Sequence, residues 1–287
     1  MLNTPWTSWV NYLHARLCYQ LFITPIAFPM DKQYREFARH ACAKMQKYRT
    51  AAFHEYHPRH HVIHYFAPTA PANGKKILVA HGWISRAAYM IHIISHLQSQ
   101  GYEVYAPDFP AHGEAKGLQL LWIDAATIVR ETLNRYGPFH GVVGHSFGGA
   151  ILLNILNLAG QFPQWALYEK PQRVVLIASP IKIRSPMRRA AKKLKLNGSG
   201  LLHLRQLLQQ QTQINFNTLH LRQFIQQAPV IPFLCIHGDS DKTIPVTESI
   251  RFSRLYPQAD LRILPHANHV SVLMDKRVEI LVKDFMD

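Results

Sequence analysis

Acidic residues are scarce in this 287-residue chain: 17 Asp and Glu stand against 32 Lys and Arg, for a formal charge of +15. Between Lys170 and Gly238 there is no Asp or Glu at all. A field of that sign draws anionic partners, such as phospholipid head groups, acidic proteins or nucleic acid, and does not choose among them. Cysteine is scarcer still. Cys18, Cys42 and Cys235 are odd in number and widely spaced, which argues against a disulfide framework and fits a reducing, cytoplasmic location. Long apolar runs are missing too: the charge-free stretch from Leu17 to Met30 has 14 residues and is broken by Pro25 and Pro29, too short to span a bilayer. Arg16 interrupts the apolar N-terminal stretch and no basic segment precedes it, so no secretory signal is expected. Low-complexity tracts and internal repeats are absent. With 48% hydrophobic residues the composition is that of an ordinary globular chain, long enough for one large domain.

What is present is a regular alternation. Apolar runs rich in Val, Ile and Leu predict strands at 75–82, 102–109, 140–146, 173–179, 231–239 and 260–266, preceded by a less regular one at 62–68. Helical spacing fills the gaps at about 87–100, 119–136, after Phe147, about 246–256 and at the C-terminus. Strand and helix in turn predict the α/β class, here one doubly wound, mostly parallel sheet. The alternation breaks at about 180–229, a helical and basic stretch read as a cap inserted into a domain spanning 56–287. Residues 1–55 read as an N-terminal helical segment. In it Trp6, Trp9, Val10, Leu13, Leu17 and Leu21 recur at helical spacing, expected to pack on the core rather than lie in a membrane interface. A second helix is expected from about Asp31 to Ala52.

At the end of strand 140–146 the chain reads Gly144-His145-Ser146-Phe147-Gly148-Gly149, a G-x-S-x-G pattern between a strand and a helix. A serine held on so sharp a turn needs neighbours two residues away that lack a Cβ. The pattern also arises by chance, so its partners decide its weight. A serine hydroxyl needs a base within reach, and the base needs a group to fix its tautomer, following in the order acid, then histidine. The acid-free stretch leaves Asp239 and Asp241 as first candidates. Asp241, further beyond the strand end, is preferred as the acid, and Asp239 is expected to cap the turn. Of His266 and His269 after the last strand, His269 lies deeper in the loop and is preferred as base. The backbone N–H groups of Phe147 and Trp83, the latter following Gly82, are the expected oxyanion donors.

With those residues in view, "HGW", "PDFPAHG", "GHSFGG", "HGDSDKTIP" and "HANH" occur in an order that resembles the α/β-hydrolase superfamily from roughly Val62 to the C-terminus. The resemblance implies that Asp241, in a G-x-x-D-x-x-[VI]-P stretch formed by Gly238, Asp241, Ile244 and Pro245, is the acid, and that His269 is its histidine. It implies a structural role for Asp108, although Ala111 and His112 depart from the family's glycine-rich D-x-x-G-x-G segment. An "HG-x" loop without three glycines looks like the monoacylglycerol-lipase-like and acyl-carrier methyl-esterase-like branch, which makes an acyl ester the expected substrate and no cofactor necessary. Thioesterase, peptidase and non-catalytic binding functions remain open, because fold does not decide substrate.

Two clusters are left over. Lys182, Arg184, Arg188, Arg189, Lys192, Lys193, Lys195, Arg205 and Arg222 make the cap a candidate contact for an anionic carrier or a membrane surface, or simply a solvated basic helix. His57, His60, His61 and His64 suggest a metal only superficially, and nucleic-acid binding lacks a recognised module.

Overall fold

The computed structural model describes residues 5–26, 32–181, 189, 191–212, 214 and 230–287. Eight strands form one sheet: β1 (Ala51–Glu55), β2 (His61–Phe66), β3 (Lys76–Ala80), β4 (Glu103–Asp108), β5 (Gly141–His145), β6 (Arg173–Ile177), β7 (Phe233–Gly238) and β8 (Ala259–Leu264). Their order across the sheet is β1-β2-β4-β3-β5-β6-β7-β8. β2 runs antiparallel to β1 and β4, and every pairing from β4 through β8 is parallel.

The central strands are apolar on both faces because both faces are covered. Alternate residues divide between two cores. Leu78, Val142, Val174 and Leu176 join one, and Ile77, Val79, Val143, Val175 and Ile177 join the other. Around the first core lie α1 (Pro5–Ile23), α4 (Trp122–Tyr136), α5 (Phe147–Gln161), α6 (Gly198–Thr212) and α7 (Thr247–Leu255). Around the second lie α2 (Lys32–Tyr48), α3 (Ile91–Ser99) and α8 (Lys276–Met286). The α/β class and the parallel sheet are therefore as the alternation implied.

The N-terminal region differs from expectation in two ways. The second helix stops at Tyr48, and Ala51–Glu55 pairs with His61–Tyr65 as the edge of the sheet, so the sheet begins ahead of the boundary expected at residue 56. The first helix packs with the opposite face from the one its sequence advertises. Ala15, Cys18, Tyr19 and Ile23 are buried, whereas Trp9, Val10, Leu13, Leu17 and Leu21 point to solvent. The reason is that the helix is apolar on both sides, and Ala15 is small enough to let it sit closely on its neighbour. That neighbour is the cap: Leu204 and Leu208 of α6 share a core cluster with Ala15, Tyr19 and Ile23. Asn197 donates to Asn11 at 2.8 Å, and the rings of Tyr12 and His203 meet edge to face at 5.8 Å. Much of the cap expected at 180–229, including Lys182, Arg184, Arg188 and Arg222, lies outside the described residues.

The two faces of α1 should respond differently to truncation. Leu204→Ala, at the buried contact with α1, is expected to cost about 2–5 kcal/mol. Leu17→Ala on the exposed face should cost less than about 0.5 kcal/mol. Urea denaturation of the two variants checks this, and equal losses would contradict the packing described.

Candidate active site

Ser146 sits between β5 and α5 with φ 51° and ψ −115°, a left-handed conformation that costs a non-glycine residue about 1–3 kcal/mol. The surroundings hold it there. Its N–H donates to the Ile177 carbonyl at 2.8 Å, and its own carbonyl accepts from Ala150 N–H at 3.1 Å as α5 begins. The turn is so tight that a Cβ on Gly144 would lie 2.5 Å from the Gly149 Cα, and one on Gly148 would lie 2.4 Å from the Ala80 carbonyl oxygen. Glycine on each side of Ser146 is thus a steric requirement of packing α5 against the ends of β3 and β5.

The structure brings Ser146, His269 and Asp241 together. His269 Nδ1–H donates to Asp241 Oδ2 at 2.7 Å, which leaves Nε2 as acceptor for the Ser146 hydroxyl at 2.9 Å. Asp241 is itself fixed: Oδ1 accepts from the N–H groups of Thr243 and Ile244, both at 2.8 Å. Burial alone would raise its carboxyl, but hydrogen bonds from His237 and His269, the charge of His269 and the Ile244 N–H outweigh burial and hold it well below the usual carboxylate range. Asp239 faces elsewhere, accepting from the N–H of His266 and the hydroxyl of Ser240. It braces the turn, and His266 stays exposed at that turn, away from the serine.

Three further histidines shape the site, none of which could be singled out from the 18 in the chain. His145, inside the G-x-S-x-G pattern, donates from Nε2 to the His269 carbonyl at 2.9 Å, with the two rings 4.9 Å apart. Burial, then the nearby charge of His269, pushes it down to about 3, so it stays neutral. His237 donates from Nε2 to the Ile244 carbonyl at 2.9 Å, and the same nitrogen lies 3.4 Å from Asp241 Oδ2. His81 donates from Nδ1 to the Gly82 carbonyl at 2.7 Å and accepts Phe109 N–H on Nε2 at 3.2 Å. Burial, helped by His112, holds it too at about 3.

The His81 contact bears on Trp83. In a trans peptide the C=O of one residue and the N–H of the next point in opposite directions, so anchoring the Gly82 carbonyl fixes the direction of the Trp83 N–H. Gly82 lies against the serine: a Cβ there would stand 3.2 Å from the Ser146 Cβ. The next residue, Ile84, has φ 54°, unusual for a β-branched side chain, and its N–H donates to His112 Nε2 at 3.1 Å. His112, in the segment that departs from the glycine-rich pattern, therefore props this loop. The Trp83 ring meets the His112 ring at 5.3 Å and the Phe147 ring at 5.5 Å, both edge to face. Among the described residues neither the Trp83 nor the Phe147 backbone N–H has an acceptor.

Asp108 is buried at the end of β4, where it accepts from His64 at 3.0 Å and from the N–H groups of Ala87 and Glu114 at 2.7 and 2.8 Å. It is a structural clasp. The histidine cluster at 57–64 disperses: His57 faces Glu131, His60 accepts Lys116 N–H, His61 bonds the Arg59 carbonyl and His64 bonds Asp108. Among the described residues no group of ligating side chains converges as a metal site.

The buried neutral histidines carry a pH signature. His81 and His145 titrate near 3 in the fold against about 6.5 when unfolded, so below about pH 6.5 the unfolded chain binds more protons. Stability is full above that pH and is lost as pH falls toward 3. The depressed Asp241 and Asp108 act in the same direction at lower pH, since each loses its stabilising charge when protonated. Tm is expected to fall steadily between about pH 7 and about pH 4, with a shallower fall in His145→Gln. A flat Tm over that range would contradict the neutral, buried assignment.

Comparison with known proteins places this architecture. A family model described as the alpha/beta hydrolase family matches residues 77–282. Among curated proteins none matches the chain by sequence. Similar solved structures include Est1E from Butyrivibrio proteoclasticus, 16% identical with a TM-score of 0.60 over 83% of this chain and 98% of that one. A bromoperoxidase from Bacillus anthracis is 15% identical, with a TM-score of 0.59 over 82% of this chain and 99% of that one. An alpha-beta serine hydrolase homologue from Coxiella burnetii is 13% identical, with a TM-score of 0.52 over 83% of this chain and 95% of that one. At such identities the likeness is one of fold, and it is the family match over most of the chain that carries the conclusion: the protein belongs to the alpha/beta hydrolase family.

Proposed function

We propose that the protein is a serine hydrolase that cleaves a carboxylic ester with an apolar acyl group through an acyl-enzyme on Ser146. The observation that carries this reading is the unbroken hydrogen-bonded series from Asp241 through His269 to Ser146. Ser146 Oγ attacks the ester carbonyl while its proton passes to His269 Nε2. The oxyanion is met by the N–H groups of Trp83 and Phe147, each such donor contributing about 3–4 kcal/mol to the barrier reduction. The tetrahedral intermediate collapses, the alkoxide leaves with the proton from His269, and the acyl group remains on the serine. Water then attacks the acyl-enzyme with His269 again as base, releasing the acid and restoring the serine. Asp241 keeps His269 in the tautomer that accepts on Nε2 throughout.

Every group used is a side chain or a backbone N–H, so the cycle requires no cofactor. The half-buried rings of Trp83 and Phe147 stand edge to face and offer the substrate an apolar flank. That favours an acyl chain or aromatic acid over a charged peptide, and agrees with the branch to which the "HG-x" loop points. Thioesters pass through the same intermediate and differ only in an easier leaving group.

A fluorophosphonate probe is expected to label the parent chain and not Ser146→Ala. With p-nitrophenyl esters of increasing chain length, Ser146→Ala should lower kcat by about 10⁴–10⁶ and Asp241→Asn by about 10⁴. No labelling of the parent would leave a non-catalytic binding protein as the better reading, and turnover of amides alone would replace the esterase reading with a peptidase.

A further inference from the structure

The exposed face of α1 is used by neither the fold nor the proposed chemistry. Trp9, Leu13, Leu17 and Leu21 follow one another at intervals of four along one side of the helix and are 40–59% exposed. Leu118, 82% exposed, lies near the C-terminal end of α1: the next residue, Gln119, donates to Gln20 at 2.7 Å, and Leu120 N–H donates to the Ile23 carbonyl at 2.8 Å. Scattered apolar side chains are ordinary on a surface, but a continuous row carried by one helix marks a contact.

The charge around the row identifies what it meets. No Asp or Glu precedes Asp31, and none lies between Lys170 and Gly238, so neither α1 nor the cap helix α6 that buries its other side carries a carboxylate side chain. Exposed Lys192 and Lys195 lie on the short helical segment and turn leading into α6, which is tied to α1 by the Asn197–Asn11 hydrogen bond, and Arg16 is exposed on α1 itself. A row of tryptophan and leucine with Arg16 on the same helix, two exposed lysines on the adjoining cap, and no carboxylate on either helix suits a surface that is apolar below and negatively charged above.

We propose that α1 and the adjoining part of the cap dock on an anionic lipid bilayer, the Trp9–Leu13–Leu17–Leu21 row entering the boundary between head groups and acyl chains while Arg16, Lys192 and Lys195 face the lipid phosphates. The helix lies flat and does not cross: among the described residues no helix is long and apolar enough to span a membrane. This surface is separate from Ser146 and does not rest on the esterase reading.

The test is sedimentation of the full chain with vesicles of phosphatidylcholine alone and of phosphatidylcholine with phosphatidylglycerol. Binding is expected to the mixed vesicles, weakening as salt is raised. Lys192→Gln and Lys195→Gln should each weaken it about fivefold. The double variant Leu13→Ser/Leu17→Ser should weaken it at least about tenfold. Tm and fluorophosphonate labelling of each variant report whether it remains folded. If the parent chain is not labelled, the serine reading falls while the vesicle result stands. No binding, equal binding to both vesicle types, or binding unchanged in the variants overturns the proposal. So does a concentration-dependent dimer in sedimentation equilibrium that Leu13→Ser/Leu17→Ser dissolves without vesicle binding, because the row would then cover a second copy of the chain.

Discussion

The strained turn at Ser146 is the constraint on which the rest of the site depends. A serine with φ 51° is stable only if the chain on either side can close around it, and the closure is what makes Gly144 and Gly148 obligatory. The same closeness presses α5 onto the ends of β3 and β5, which puts the Gly82–Trp83 peptide beside the serine. β7 and the loop after β8 then need only deliver Asp241 and His269 to a point already set. The cost of the turn, a few kcal/mol at most, is offset by the cores on both faces of the sheet.

Histidine does unusual structural work here. His81, His112, His145 and His237 are buried and bridge backbone carbonyls, backbone N–H groups or a carboxylate. A neutral imidazole is both donor and acceptor, so one ring can anchor two strands of backbone where a hydroxyl or amide of similar reach would fit less well. In a chain with so large a surplus of cations, the burial that lowers the proton affinity of His81, His112 and His145 also avoids burying further positive charge. The price is sensitivity to acid.

Much of this was legible in the sequence, and the exceptions have physical reasons. β3 to β7 could be read because strands buried on both faces are continuous apolar runs. β1 could not: Ala51–Glu55 is a half-exposed edge strand that follows a charged helix, and its alanines suit a helix equally well. Ser146, Asp241 and His269 stood out through the pattern around the serine and the absence of carboxylates between Lys170 and Gly238. His145 and His237 did not, because their value lies in contacts to residues distant in the chain or to carbonyl groups that carry no sequence signal. On α1 periodicity pointed to the wrong face. The helix carries apolar residues on both sides, and the face with Ala15, small enough for a close approach, is the one that packs on the cap together with Tyr19 and Ile23.

The packing of α1 ties the N-terminal region to the site. The loop from Phe109 to Leu121 touches both: His112 near one end props Ile84 beside Trp83, and Leu120 near the other is held by Ile23 of α1. Between them Glu114 N–H is fastened to Asp108, whose other oxygen holds Ala87 at the start of the helical segment after that same loop. The first helix is thus bonded to the loop that shapes the surroundings of the serine, and it rests on the cap through Ala15, Tyr19 and Ile23. Its large apolar residues contribute little to that packing, because they make their contacts outward. At Trp9, Leu13, Leu17 and Leu21 polar helix formers would serve the fold as well. The helix is tied inward by one face, and its large apolar side chains stand on the other, open to solvent.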